Sequence, residues 1–337
     1  MVEITVLSKE DVSKILKMDQ VIDVVESVYK AKSDGMTDVW PTVFYDFETG
    51  KADLDIKSGY LKSKKLYGHK TVSWFGANAE KDLPTLFGMI AVFNAETGMP
   101  MGITDSVYIT GVRTGAAGAL GAKYLARKNS ENLLVVGAGN QSAFQISAAL
   151  TILPNIKKVQ VATLSLSEAE QFVNGIQKRL QDEFHIIAKD ITFKATENIE
   201  EAVKESDVII TVTPSRKPII KKDWVQKGTH ISCIGSDMEG KQEIESDILS
   251  SAVIFVDDMK HCKEAGEIEI PLKQGVISEE NIIGELGDLI LNKVNGRTND
   301  EQITIFDATG MAILDIATAE LALRVAEKNK LGSKSKL

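Results

Sequence analysis

From about residue 133 onward, short β-branched runs alternate with amphipathic stretches, and this alternation constrains the fold more than any other feature of the chain. Segments 133–136, 159–162, 191–193, 208–212, 230–234 and 253–256 predict strands, with helices predicted over 141–152, 167–180 and 199–204. Such a succession builds a parallel α/β sheet, because each strand needs a crossover to return in the same direction. Ser167 followed by Glu170 predicts a capping box at the start of the second helix.

The first hundred residues follow another pattern. A helix predicted over 12–32 precedes extended segments at 43–47, 54–56, 69–75 and 88–93, separated by turn signals such as Glu48-Thr49-Gly50 and Glu96-Thr97-Gly98. This predicts a separate α+β domain. A helix over 110–127 follows, rich in glycine and alanine, which let another backbone approach closely and suit a domain junction. Residues 303–306 predict one more strand, and 311–325 an apolar helix returning to the first domain. The expected domains are therefore 1–112 with 307–337, for substrate binding and dimerisation, and 113–306, a dinucleotide-binding domain.

Composition excludes several classes of function. A formal net charge of −9 argues against nucleic acid as the main partner, which clustered Lys and Arg would hold. Two cysteines, Cys233 and Cys262, build no disulfide framework, and no Cys/His cluster has zinc-ligand spacing, so no metal is expected. No apolar run approaches the roughly 20 residues that span a bilayer, and the start lacks the pattern of a signal peptide. A cytoplasmic protein is the expectation. The terminal Ser335-Lys336-Leu337 reads either as a peroxisomal address in a eukaryote or, on the favoured reading, as a lysine-rich solvated tail.

The first motif that carries chemistry is Gly137-Ala138-Gly139-Asn140-Gln141-Ser142, between a buried-looking strand and a helix, the context that a dinucleotide fingerprint requires. Gly137 makes the tight turn, and Gly139 lets the backbone approach a pyrophosphate at the positive end of the helix. Ser142 replaces the third glycine and is small enough for close packing. The carboxylate that usually binds the adenine ribose is missing from the end of the second strand, where Thr163 and Ser165 offer hydroxyl donors instead and no arginine is evident. NAD and NADP both remain open on these residues, with a lean toward tolerance of NADP, because without that carboxylate a 2′-phosphate is not repelled.

Lys57, Lys70 and Arg113 form a second constellation. Cations within apolar segments are costly unless paired, and a substrate carboxylate would supply the counter-charge; ordinary salt bridging is the alternative. The third signal is the loop Gly235–Glu243 after a predicted strand, where open α/β sheets bind ligands. It offers Asp237 as an acid/base group, with an Asx turn as the alternative.

Taken together these motifs resemble the ornithine cyclodeaminase/mu-crystallin family. Arg113-Thr114-Gly115-Ala116-Ala117 is similar to its Arg-Thr-Ala-Ala helix, Gly137-Ala138-Gly139-Asn140-Gln141 to its Gly-x-Gly-x-Gln fingerprint, and 235–243 to its Gly-x-Asp-x-x-Gly-Lys-x-Glu loop. Phe306-Asp307-Ala308-Thr309-Gly310 falls where the family has a strand end before its closing helix. The resemblance implies a Rossmann-type doubly wound parallel sheet plus a discontinuous α+β domain, a homodimer, and a small amino-acid or imino-acid substrate. It implies that Lys70 and Arg113 bind the substrate carboxylate, that Asp237 and Lys70 are catalytic, and that Arg113, Thr114, Gly137, Gly139, Asn140, Gln141, Ser142, Thr163, Ser165, Thr213, Gly235 and Lys241 serve NAD or NADP. The chain departs from many members in lacking an Arg after Pro41, and the resemblance to a subgroup of the family implies that Lys57 takes that role. The ending Gly240-Lys241-Gln242-Glu243 is more similar to the amino-acid dehydrogenase and imine reductase members than to cyclodeaminases. The leading expectation is a dehydrogenase or reductase moving hydride at an α carbon. A cyclodeaminase using catalytic NAD and a mu-crystallin-like NADPH-binding protein are the alternatives.

Overall fold

The computed structural model describes residues 2–337, which form two compact units, the first made of the described residues up to 113 together with 311–337, the second of 114–310. Along the chain lie β1 (Glu3–Leu7), α1 (Lys9–Ile15), α2 (Met18–Ser33), β2 (Thr37–Val39), β3 (Val43–Glu48), β4 (Ala52–Leu61), β5 (Leu66–Phe75), β6 (Leu86–Asn94), β7 (Pro100–Asp105) and α3 (Val107–Leu125). Then follow β8 (Asn132–Val136), α4 (Asn140–Ile152), β9 (Lys158–Ala162), α5 (Leu166–Phe184), β10 (Thr192–Thr196), α6 (Ile199–Lys204), β11 (Val208–Thr211), β12 (His230–Cys233), α7 (Ser246–Leu249) and β13 (Val253–Val256). The last elements are α8 (Met259–Ala265), α9 (Glu269–Lys273), β14 (Ile282–Glu285), α10 (Leu286–Ile290), β15 (Thr304–Asp307), α11 (Ala312–Asn329) and β16 (Ser333–Lys336).

The first unit is a sheet in the order β16-β1-β7-β6-β5-β4-β2, with β3 also paired to β4. Its pairings are antiparallel except β1 with β7. Helix α11 lies against this sheet. Gly59 and Gly68 stand opposite each other in β4 and β5, and a Cβ on them would meet Ile313 at 2.9 Å and Ile316 at 3.3 Å, so the missing side chains are what let the helix approach. The single helix expected over 12–32 is two, α1 and α2, with Leu16 extended between them. Val12, Ile15 and Leu16 point well round a helix from Val21, Val25 and Val28, so one straight helix would not bury both sets on one surface. Strand β16 pairs with β1, and the Leu337 amide donates to the Val2 carbonyl at 2.9 Å, so Ser335-Lys336-Leu337 is held in a lysine-bearing edge strand rather than as a free tail.

The second unit is an all-parallel sheet in the order β10-β9-β8-β11-β12-β15-β13-β14, the doubly wound arrangement. The strand order reverses between β8 and β11. Its core is built from aliphatic residues such as Leu134, Val136, Ile209, Ile231, Ile254 and Ile305, all essentially buried. The expected capping box at Ser167 is absent: α5 begins at Leu166 after Ser165, and the Ser167 hydroxyl lies 3.0 Å from that of Ser165 instead. Among the described residues no helix is long and apolar enough to cross a membrane.

Candidate active site

In the second unit the fingerprint sits at the topological switch point, on the turn from β8 into α4. Gly137 has φ +116°, which L side chains rarely adopt, and a Cβ there would crowd the Val212 carbonyl at 3.0 Å. Gly139 precedes the first turn of α4 without a side-chain cap, and a Cβ on it would meet nothing within 4 Å. The first-turn amides of a helix lack intrahelical acceptors, so this open turn is a cradle for a phosphate group. Ser142 is fully buried, and its hydroxyl donates to the Gly137 carbonyl at 2.9 Å, closing the turn. These features fit a dinucleotide.

The surroundings of the adenosine end differ from the sequence expectation. Thr163 spends its hydroxyl on the Ser165 carbonyl at 2.6 Å and accepts the Ser165 amide at 3.0 Å, a local turn that competes with any phosphate. Beside the fingerprint turn, Arg179 of α5 donates to Asn140 Oδ1 at 2.9 Å and to Glu183 at 2.7 Å, and stands over the ring of Phe144 at 5.3 Å. Thirty-nine residues separate it from Asn140, which is why local motif reading missed it. A cavity of about 480 Å³ beside the turn is lined by Ala138, Gly139, Glu168, Gln171 and Phe172, so the charged side chain facing it is a carboxylate. Gln141 is half-buried at the start of α4, and the Thr114 carbonyl on α3 accepts Gln145 Nε2 at 3.0 Å.

The loops after β11 and β12 are tied together by Glu243, a residue whose role sequence reading left unassigned. Its fully buried carboxylate accepts from Thr211 Oγ1 at 2.6 Å, the Thr213 amide at 2.7 Å, Thr213 Oγ1 at 2.7 Å and the Gly235 amide at 2.8 Å. Four donors match the acceptor capacity of a carboxylate. Burial is the chief cause that raises its pKa. Behind it Glu267 accepts the amides of Glu243 and Ile244, and burial followed by the neighbouring Glu243 pushes its carboxyl well up. On the loop thus held, Asp237 is about half exposed and forms an ion pair with Lys241 at 2.5 Å. Burial pushes the Cys233 and Cys262 thiols up, which leaves them protonated and unreactive.

In the first unit Lys70 on β5 and Arg113 on α3 are both nearly buried, at 4% and 6% exposure. The counter-charge that the sequence assigned to a substrate is partly internal. Asp315 of α11, fully buried, lies 2.9 Å from Arg113 Nε and 3.1 Å from Lys70 Nζ. Two cations thus share one carboxylate, and Lys70 also donates to Thr110 Oγ1 at 3.3 Å. Lys57 stands directly opposite Lys70 in the β4–β5 register, a like-charge pairing that costs stability unless an anion lies near. Burial lowers the Lys70 pKa to about 8, with Asp315 opposing the shift and Arg113 and Lys57 adding to it. Asp315 went unnoticed in the sequence because it lies 202 residues from Arg113, inside an apolar helix.

The model of the ornithine cyclodeaminase/mu-crystallin family matches residues 2–330. The chain is 36% identical over 334 residues to the alanine dehydrogenase of Archaeoglobus fulgidus, covering 99% of this chain and 98% of that one. Its structure superposes on an archaeal alanine dehydrogenase dimer with bound NAD at a TM-score of 0.91, with 37% identity and full coverage of both chains. It superposes on the Δ1-pyrroline-2-carboxylate reductase of Thermococcus litoralis in complex with NADH and L-proline at a TM-score of 0.90, with 31% identity over 98% of this chain and 99% of that one.

Proposed function

The chain belongs to the ornithine cyclodeaminase/mu-crystallin family, and on that premise we propose that it is an NAD-dependent oxidoreductase transferring hydride at the α carbon of a small amino acid or 2-imino acid. The observation that carries the reading is the buried Lys70–Asp315–Arg113 cluster, whose two cations share one carboxylate. The positive charge left over suits the carboxylate that every such substrate carries. The resemblance of the whole chain to an alanine dehydrogenase and a pyrroline-2-carboxylate reductase supports the same reaction class.

In this reading Lys70 and Arg113 bind the substrate carboxylate, with Lys57 adjoining them, and so orient the α carbon. Asp237, half exposed and steadied by Lys241, exchanges a proton with the substrate nitrogen. Gly137, Gly139 and the first turn of α4 hold the pyrophosphate, while Glu243 fixes Thr213 and Gly235 on the nicotinamide side. The bound nicotinamide supplies the hydride acceptor or donor. Glu168 beside Gly139 favours NAD, because its charge repels a 2′-phosphate that no cation lining that cavity would offset.

A homodimer belongs to the same proposal. Val43, Phe44, Tyr45 and Phe47 of β3 are each more than half exposed, and Leu86, Phe87 and Met89 of β6 add to an apolar surface of the kind that marks an interface. The test of function is incubation with NADH or NADPH, ammonia and a panel of 2-oxo acids and cyclic imines, following cofactor absorbance. Oxidation of NADH with a small 2-oxo acid or cyclic imine is the expected result. No oxidation with any of them, together with ammonia release from ornithine or lysine at catalytic NAD, would overturn it.

A further inference from the structure

The cluster that holds the substrate carboxylate contains its own anion, and nothing in the sequence motifs accounts for it. Asp315 sits in α11 among Ala312, Ile313, Leu314, Ile316 and Ala317, all buried and apolar. A buried ion pair is costly to assemble, and packed hydrophobic residues in its place are often as stable or more so. An aspartate here thus needs a reason beyond stability. We propose that Asp315 is a positioning residue for substrate binding, dividing its two oxygens between Lys70 and Arg113 so that both cations are held in place and one of their charges remains unneutralised for the substrate carboxylate. The inference rests on the reading that these two cations bind that carboxylate.

The geometry assigns each oxygen a separate task. Oδ1 meets Arg113 at Nε, on the inner edge of the guanidinium, which keeps this contact off the terminal fork that pairs with carboxylates in two-point fashion. Oδ2 meets Lys70 Nζ, which Thr110 Oγ1 on α3 also touches, so the ammonium is located from two helices. The charged and titratable groups facing Lys70 are Lys57 and Asp55 from β4, Arg113 from α3 and Asp315 from α11; on β6 its register partner is Ile90. Burial, Arg113 and Lys57 disfavour the ammonium, and Asp315 is the larger of the two groups that favour it. Removing the aspartate therefore does two things: it frees the two cations to move, and it lets Lys70 lose its proton at lower pH.

The experiment compares wild type with Asp315→Asn and Asp315→Glu, using NADH, ammonia and the 2-oxo acid that the wild type reduces fastest. KM is followed across pH, with NADH affinity measured separately by fluorescence as a control for the folded dinucleotide unit. For Asp315→Asn the expected result is a KM raised 10-fold or more with a much smaller change in kcat, a rise of KM with pH that begins at least one pH unit below that of wild type, and unchanged NADH affinity. For Asp315→Glu, which keeps the charge and displaces it, KM rises but the pH at which the rise begins stays close to that of wild type. The Glu variant keeps the test open if the Asn variant does not fold. Wild-type KM and an unshifted pH profile in either soluble variant would overturn the inference, as would parallel losses of kcat, KM and NADH affinity. Lys70→Met and Arg113→Leu separate the two levels. If they leave KM unchanged, the carboxylate reading itself fails; if they raise KM while Asp315→Asn does not, only the role of Asp315 fails.

Discussion

Asp307 ends β15 with one carboxylate oxygen on the Ile268 amide at 3.1 Å and the other buried without a hydrogen-bond partner. Burial, the largest cause, pushes its pKa up to about 8. Between the ordinary carboxylate range and that value the folded protein holds a proton that the unfolded chain has released. Its contribution to stability is therefore complete at low pH and is lost as pH rises through about 8. Asp307→Asn carries no such proton, so its melting temperature is expected to fall less than that of wild type between pH 6 and pH 9, by on the order of 2–4 °C for each kcal/mol of difference. Equal slopes in calorimetry would show that the carboxyl is ionised throughout. Asp237 is the opposite case, half exposed and held by Lys241. Asp237→Asn is expected to lower kcat roughly 10²–10⁴-fold, the range for loss of a general acid/base, while NADH affinity by fluorescence stays as in wild type. An active Asp237→Asn variant would remove this residue from the chemistry.

Helix α3 shows how an element can be specified by what it lacks. Its glycines read in the sequence as an invitation to close packing, and within the second unit they are used for that. A Cβ on Gly115 would lie 2.5 Å from the Phe144 carbonyl, and one on Gly121 would lie 2.4 Å from the ring of Phe306. Both Phe144 and Phe306 are among the largest fully buried side chains, so neither can retreat cheaply. Alanine is a better helix former than glycine by about 1 kcal/mol, yet Gly121→Ala is expected to destabilise the protein by about 1–3 kcal/mol through overpacking. Urea unfolding measures this, and a midpoint equal to or above wild type would show that the core yields around residue 306.

At the scale of the whole molecule the apolar strand β3 is the feature that a single copy leaves unexplained. Its residues alternate in direction, yet Phe44 at 53%, Tyr45 at 58% and Phe47 at 54% are all exposed, so neither face of the strand is covered within the chain. The proposed homodimer would cover such a surface. Phe44→Glu with Phe47→Glu is expected to halve the mass seen by sedimentation at low micromolar concentration while NADH affinity is kept. A wild type that sediments as a monomer would refute the proposed assembly directly.

The parallel sheet and its fingerprint turn were legible in the amino-acid order because they depend on local periodicity and on glycines whose task is set by their immediate neighbours: the strand at 133–136, Gly137, Gly139 and the helix from Asn140 are contiguous. Lys70 and Arg113 were legible as candidates because charge in an apolar setting stands out, and Asp237 because its loop follows a strand at the ligand-binding end of the sheet. The long-range contacts were not. Asp315, Arg179 and Glu243 reach their contacts across 245, 39 and up to 32 residues, with no sequence pattern joining the two ends. The break between α1 and α2 was likewise decided by which surface their apolar sides had to meet. Short-range geometry follows from residue type and spacing, whereas the pairing of a buried charge, and with it the charge left for a ligand, is settled only when packing brings distant side chains into one low-dielectric space.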